Sequence, residues 1–292
     1  MVCACIDIGT NTTRLLVAEP TPGGLRELLA LRVFTRVRRA LGPDGTIAAA
    51  KLGELADVVA AQARAAREVG ASRIDVVATA IVRAAPNRGE LAAELERRTG
   101  LPLRVLPAAE EARLAFVGAT RTWAPRPAGR VAVVDLGGGS TELAVGTLDG
   151  GVTWSTSVPV GSAGLVDEHV RGDPPSAAEL AALRTAAATA FASVRPPPAD
   201  LALAVGGSAT TMHRLCGAVL DEAALDAALG AVTAGPCEEV ARRHALDAER
   251  VRLLPGGLVV LEQATRILGA PLAVSRGGLR EGIILSAIDQ ER

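Results

Sequence analysis

Moved along itself by 128 positions, the chain lays Ile6-Asp7-Ile8-Gly9-Thr10-Asn11-Thr12-Thr13-Arg14-Leu15-Leu16-Val17 on Val134-Asp135-Leu136-Gly137-Gly138-Gly139-Ser140-Thr141-Glu142-Leu143-Ala144-Val145. Five of the twelve positions are identical (Asp7/Asp135, Gly9/Gly137, Thr13/Thr141, Leu15/Leu143, Val17/Val145), and three more are close substitutions. A period this long belongs to duplicated domains, not to a solenoid of short repeats. The repeated piece is a strand, a tight polar turn and a returning strand. The expected fold is therefore α/β, with two related domains whose turns face each other across an interdomain cleft. A length of 292 residues, 49% of them hydrophobic, suits two packed cores.

The boundary is expected at the Pro- and Gly-rich segment 124–129, giving domains over 1–124 and 125–292, with a final helix over 280–290 joining the first. Apolar periodicity predicts strands at 2–8, 13–19, 25–37, 73–79 and 102–106, and helices at 47–68, 88–99 and 109–121. Beyond the boundary it predicts strands at 130–136, 141–147, 152–158, 201–205 and 271–275. A helix over 176–194 ends in Arg-Pro-Pro-Pro, and several helices lie between 208 and 269.

Net charge is −1, which argues against non-specific binding to nucleic acid or to an anionic membrane. With three Phe, two Trp and no Tyr there is no platform for stacking bases. No apolar stretch approaches the ~20 residues of a membrane span, and the N-terminus has no basic leader, so a cytoplasmic location is expected. A homodimer is the assembly considered. The four cysteines show no zinc spacing, and Cys3 and Cys5 share one side of a strand as buried small residues.

Lys51 is the sole lysine, so a Walker-type Gly-Lys-Ser/Thr loop is excluded. A bound phosphate would have to be held by backbone amides, hydroxyls, arginine and metal. Gly137, Gly138 and Gly139 are free to take φ > 0, their amides can converge on an anion, and Ser140 and Thr141 add hydroxyls. Gly9, Thr10, Asn11 and Thr12 form the opposing turn. A third glycine loop, with Gly207 and Ser208, opens a helix, where anions also bind, with Ser208 as the alternative simple cap. Asp135 ends an apolar strand, where a metal bound to phosphate oxygens would settle its charge. On a helical wheel Glu111 shares the apolar stripe with Leu114, Ala115 and Gly118, while Glu110 lies nearer Arg113 and Arg121. A carboxylate so placed is paired, raised in pKa or catalytic. Arg83 is a candidate for reaching phosphoryl oxygens, since a guanidinium presents paired donors.

The three glycine loops, in this order, resemble the phosphate and adenosine motifs of the actin/Hsp70/sugar-kinase superfamily. Thr79-Ala80-Ile81-Val82-Arg83-Ala84-Ala85-Pro86-Asn87, Glu110-Glu111-Ala112-Arg113-Leu114 and Gly278-Leu279-Arg280-Glu281-Gly282 narrow the resemblance to the exopolyphosphatase/guanosine pentaphosphate phosphatase family. It spans essentially the whole chain. The resemblance implies two ribonuclease-H-like domains and hydrolysis of a terminal phosphoanhydride of polyphosphate or guanosine pentaphosphate. It implies Glu111 as general base, Arg83 on the phosphoryl group, and Mg²⁺ through Asp135 and Glu142, with Asp7 a third carboxylate. Arg276, Arg280 and Glu281 read as braces of the last helix. The family commonly carries an extra C-terminal helical domain, and this chain stops at the two-domain core, so short polyphosphates are the expected substrates. Two rivals remain: an ATP-dependent kinase on the same fold, and a non-catalytic sensor of guanosine tetraphosphate or polyphosphate.

Overall fold

A computed structural model describes residues 1–290. The chain divides into two compact units, Met1–Thr122 with the segment from Gly277 onward, and Trp123–Arg276. The sequence placed the first crossing at 124/125. The chain crosses back at 276/277, so that the last helix belongs to the first unit.

The first unit holds a five-stranded sheet of β1 (Cys3–Ile8), β2 (Thr13–Thr21), β3 (Gly24–Val33), β4 (Arg73–Ala78) and β5 (Leu103–Val105), in the order β3-β2-β1-β4-β5. Strands β1, β2 and β3 form an antiparallel meander, and β4 and β5 extend it in parallel. Its helices are α1 (Ala49–Glu68), α2 (Ala80–Ala84), α3 (Arg88–Thr99) and α4 (Ala108–Arg121). Strand β1 is apolar on both faces because both are covered. Ala4, Ile6 and Ile8 join Leu55, Val59 and Ala63 of α1 in one core. Cys3 and Cys5 join Leu114 of α4 in the other, as the strand alternation requires.

The second unit contains β6 (Val131–Leu136), β7 (Thr141–Thr147), β8 (Gly151–Val158), α5 (Ser162–His169), α6 (Ala177–Phe191), β9 (Leu201–Val205), α7 (Gly207–Cys216), β10 (Val219–Leu220), α8 (Glu222–Val232), α9 (Cys237–His244), α10 (Ala248–Leu268) and β11 (Leu272–Val274). Its sheet runs β10-β11-β9-β6-β7-β8. Five of these strands, β8-β7-β6-β9-β11, repeat the order and the parallel or antiparallel sense of β3-β2-β1-β4-β5. The duplication read from twelve residues is thus a duplication of topology. A final helix, α11 (Leu279–Gln290), returns to the first unit and packs on α4.

Several expected boundaries shift. The strand expected over 25–37 ends at Val33, and Val37–Ala40 forms a 3₁₀ turn instead. Thr35 is buried and its hydroxyl bonds that of Thr13 at 3.1 Å, which stops the strand from running on. The helix expected from Ile47 starts at Ala49, because the Ile47 peptide is held by the Asn87 side chain at 3.0 and 2.9 Å. Helix α6 ends at Phe191, three residues before Val194, after opening on a Ser176/Glu179 capping box. Helices α2 and α5 and the short β10 were not expected.

Candidate active site

In the second unit the β6–β7 turn is closed by the Gly137 amide donating to Ser140 O at 3.0 Å. The carbonyls of Gly137 and Gly138 point at the first turn of α5. They accept from Ser162 N at 3.1 Å and from Ala163 N and Gly164 N at 3.0 Å each. In a trans peptide the N–H lies opposite the C=O. The amides of Gly138 and Gly139 are therefore turned to the side away from α5, two adjacent donors facing one way. This is the arrangement that holds an anion. Gly161 makes it possible: a Cβ there would sit 2.6 Å from Gly138 C and Gly139 N.

The freedom of Gly137 to take φ > 0 is not used, and Gly9 is not left-handed either. Crowding is what favours glycine. A Cβ would stand 3.0 Å from Ser140 O at Gly137 and 3.2 Å from Thr12 O at Gly9. Ser140 is buried beside the turn. The Thr141 hydroxyl, expected on phosphate, donates instead to Val160 O at 2.7 Å. Asp135 and Glu142 are direct cross-strand partners, so two carboxylates stand side by side at the turn. Glu142 is buried and accepts from the Ser157 hydroxyl at 2.7 Å.

The first unit repeats the turn with different charges. Gly9 N donates to Thr12 O at 3.0 Å, and Thr10 and Asn11 are buried. Opposite Asp7 stands Arg14, where the second unit has Glu142 opposite Asp135. Asp7 Oδ1 and Asn11 Nδ2 are sealed from solvent and have no protein hydrogen-bond partner. Burial pushes the Asp7 carboxyl above its ordinary range, against the pull of Arg280 and Arg14.

The same unit carries Glu111 and Arg83. Glu111 sits in the first turn of α4, 5% exposed, and Glu110 beside it faces Arg104 and Arg113 at the surface. Arg83, at the end of α2, donates from Nη1 to Glu111 Oε2 at 2.8 Å and to Leu106 O at 2.7 Å. Glu111 and Arg83 were singled out separately in the sequence, and the fold makes them one ion pair. Helix α4 is positioned from behind by α11 through glycine. A Cβ at Gly118 would lie 1.9 Å from Gly278 O, one at Gly282 1.8 Å from Leu114 O, and one at Gly277 2.4 Å from Thr122 Oγ1. Arg280 and Glu281 brace this helix as expected: Arg280 donates to Leu15 O at 3.3 Å, and Glu281 accepts from Gly278 N at 2.8 Å.

The model of the Ppx/GppA phosphatase family matches residues 16–291. The chain belongs to the Ppx/GppA phosphatase family. It is 33% identical to an uncharacterized protein of Streptomyces coelicolor, over 99% of this chain and 91% of that protein. It is 29% identical to Exopolyphosphatase 1 of Mycobacterium leprae, over 98% and 89%. The crystal structure of the Aquifex aeolicus Ppx/GppA family member matches with a TM-score of 0.83 at 27% identity, over 100% of this chain and 99% of that one. This Ppx/GppA chain is accordingly a hydrolase of the phosphatase class, built from two actin-like α/β domains.

The third glycine loop of this Ppx/GppA chain departs from its expected design. Gly206, at φ +98°, is the N-cap of α7, and Ser208 caps nothing. The Ser208 hydroxyl is buried against Gly257, where a Cβ would come within 2.4 Å of it. Over Gly207 lies the buried guanidinium of Arg250, with Nη2 2.7 Å from where a Cβ would be. Sequence reasoning missed Arg250, and also Gly161 and Ser162. An arginine amid the apolar positions of 248–261 and a lone Gly-Ser after a strand were the available signals. Among the described residues no three His, Cys, Asp or Glu side chains gather as a metal cage, and no helix is long and apolar enough to cross a membrane.

Proposed function

We propose that this chain is an exopolyphosphatase that removes the terminal phosphoryl group of inorganic polyphosphate, short chains first, and releases orthophosphate. Glu111 carries the reading: a carboxylate buried in the first turn of α4 and bonded to an arginine, in a chain of a phosphatase family. A general base must be ionised and fixed in place before it acts, and a guanidinium at 2.8 Å favours both.

In this mechanism water attacks the terminal phosphorus in line with the bridging oxygen. Glu111 orients the water and takes its proton. The P–O bond to the chain breaks, and the shortened chain leaves with the bonding electrons. The amides of Gly138 and Gly139, with Ser140, are the proposed phosphate donors of the second unit, and Thr10, Asn11 and Thr12 those of the first. Arg83 supplies its remaining N–H groups to the phosphoryl oxygens while Leu106 O keeps the guanidinium in place. Phosphoryl transfer of this kind rests on positioning and charge stabilisation.

The donor set suits Mg²⁺, which prefers carboxylate oxygens, keeps several waters, and needs only one or two carboxylates besides phosphate. Asp135 and Glu142 would hold it. Bound there, Mg²⁺ would neutralise charge on the phosphates. Phosphate release from tripolyphosphate, long polyphosphate, guanosine pentaphosphate and ATP, compared with Mg²⁺ present, tests the reading. Short polyphosphates should give the highest kcat/KM. A clear preference for guanosine pentaphosphate would reassign the substrate, and binding with no phosphate release would leave a sensor.

A further inference from the structure

Strand β3 ends the first unit's sheet, and among the described residues no strand pairs with its outer edge. An open edge is a row of unpaired N–H and C=O groups, which proteins blunt by keeping it short or by placing proline or lysine on it. Strand β3 runs ten residues, Gly24–Val33, and has neither. Its last four residues, Ala30 to Val33, are all exposed, with Leu31 and Val33 each at 38%. Glu27 and Arg32 are exposed too, and among the described residues neither has an ion-pair partner. Arg32 lies over the Phe34 ring, 4.9 Å from its centre. Arg26, by contrast, is already paired with Glu19 at 2.8 Å.

The faces of β3 follow from its partners on β2, since residues directly opposite share a face. Glu27 stands opposite Ala18 and Ala30 opposite Leu16, on the side of the core built with α11. Leu29 and Leu31 stand opposite Val17 and Leu15, on the side of the core built with α1, and Leu28 packs there as well. The ladder shifts register between Val17 and Ala18, so Leu28 and Leu29 together fill one place. Arg32, next after Leu31, returns to the α11 face with Glu27 and Ala30.

We propose that the edge of β3 binds a second copy of this chain, the two β3 strands pairing antiparallel about a two-fold axis through Ala30. With Leu28 and Leu29 counted as one place, every residue then meets a residue of its own face. Ala30 meets the second copy's Ala30, a small side chain where the axis passes. Leu31 meets the Leu28–Leu29 pair, and Val33 is covered by the stem of Arg26. Glu27 meets Arg32 twice, once on each side of the axis. A slip by one residue would send every side chain to the wrong face. A slip by two would set Glu27 against Ala30 or Phe34, and Arg32 against Leu25 or Ala30. The register that matches faces is thus also the one that pairs both charges, and in it β3 is its own complement, as a two-fold contact demands. The dimer goes beyond the phosphatase reading and does not depend on it.

Analytical ultracentrifugation over a dilution series tests this on wild type, Glu27→Arg, Arg32→Glu and the double exchange Glu27→Arg/Arg32→Glu, each checked for an unchanged melting temperature. Wild type should dimerise reversibly. A single strand pair buries less than the ~1,200 Å² of a standard interface, so the dimer should be weak, with a Kd of micromolar order. Each single variant sets like charges against each other at two places and should raise Kd about tenfold or more. The double exchange restores both pairs and should return Kd to near the wild-type value. Higher salt should narrow these differences. A second measurement does not rest on charge. Ala30→Cys puts a thiol on the axis, and mild oxidation should link two chains through residue 30, whereas Val219→Cys, exposed on β10, should stay unlinked. A wild type that is monomeric throughout the series would overturn the proposal. So would a dimer with one Kd in all four proteins, or a double exchange as weak as the single variants.

Discussion

Gly282→Ala should separate packing from chemistry. The added Cβ would be built 1.8 Å from Leu114 O, where ordinary contact begins at 3.4 Å, so α4 and α11 must part by roughly 1.6 Å. The obstacle is backbone of α4, which no side-chain rotation removes, and α11 is itself held against β1 and β2. Overpacking of this kind costs about 1–3 kcal/mol, and a backbone clash puts this site at the upper end. For a chain of this size, ~3 kcal/mol lowers the Tm by roughly 6–12 °C. Leu114 is three residues from Glu111 on the same helix, so the displacement reaches the carboxylate, and a 1 Å misplacement of a reacting group costs about 10²-fold. Gly230→Ala is the control, since nothing lies within 4 Å of its Cβ position in α8. Exchanging glycine for alanine inside a helix is there neutral or stabilising by up to about 1 kcal/mol. Calorimetry and phosphate release from tripolyphosphate are read together. A Gly282→Ala protein with the Tm and turnover of wild type would refute the view that the glycine contacts of α4 and α11 set the position of Glu111.

The remaining predictions concern metal and pH. Removing divalent ions with EDTA should abolish phosphate release and Mg²⁺ should restore it, and Asp135→Asn should raise the Mg²⁺ concentration needed for half-maximal rate about tenfold or more; full activity in EDTA contradicts the assignment. Glu179 accepts from the backbone amides of Ser176, Arg171 and Gly172, which hold its carboxyl down at about 2. Its folded pKa is below its unfolded one, so its contribution is complete at neutral pH and is lost as pH falls below the ordinary Glu range toward 2. Glu179→Gln should therefore be less stable than wild type in urea titrations at pH 7, with the gap narrowing on acidification; a gap that does not change with pH would contradict the sign.

What was legible in the sequence followed from periodicity and repetition. The strand–turn–strand echo of Asp7–Val17 in Asp135–Val145 predicted a duplicated sheet, and the alternation of Cys3, Ala4, Cys5 and Ile6 placed β1 between two covered faces. The apolar stripe through Glu111, Leu114, Ala115 and Gly118 marked the buried side of α4 before any coordinates. What escaped notice depends on contacts distant in sequence. No local pattern shows that Arg83 meets Glu111 across 28 residues, or that Thr141 turns its hydroxyl to Val160 O. The need for glycine at particular positions escaped notice for a related reason. At Gly9 and Gly137 the constraint is the carbonyl across the turn, not a left-handed φ, and at Gly161, Gly118 and Gly282 it is another segment's backbone. Arg36 shows the converse, a left-handed residue with no glycine to announce it.

Single-turnover phosphate release by Glu111→Gln, with tripolyphosphate and Mg²⁺ and with substrate affinity measured on the same protein, tests the assignment of the base most directly. The substitution keeps the shape and the burial of the side chain and removes its negative charge, and with it the capacity to take a proton and the ion pair to Arg83. The account predicts a Kd close to that of wild type and a rate lower by about 10²–10⁴-fold. A rate near that of wild type would contradict it.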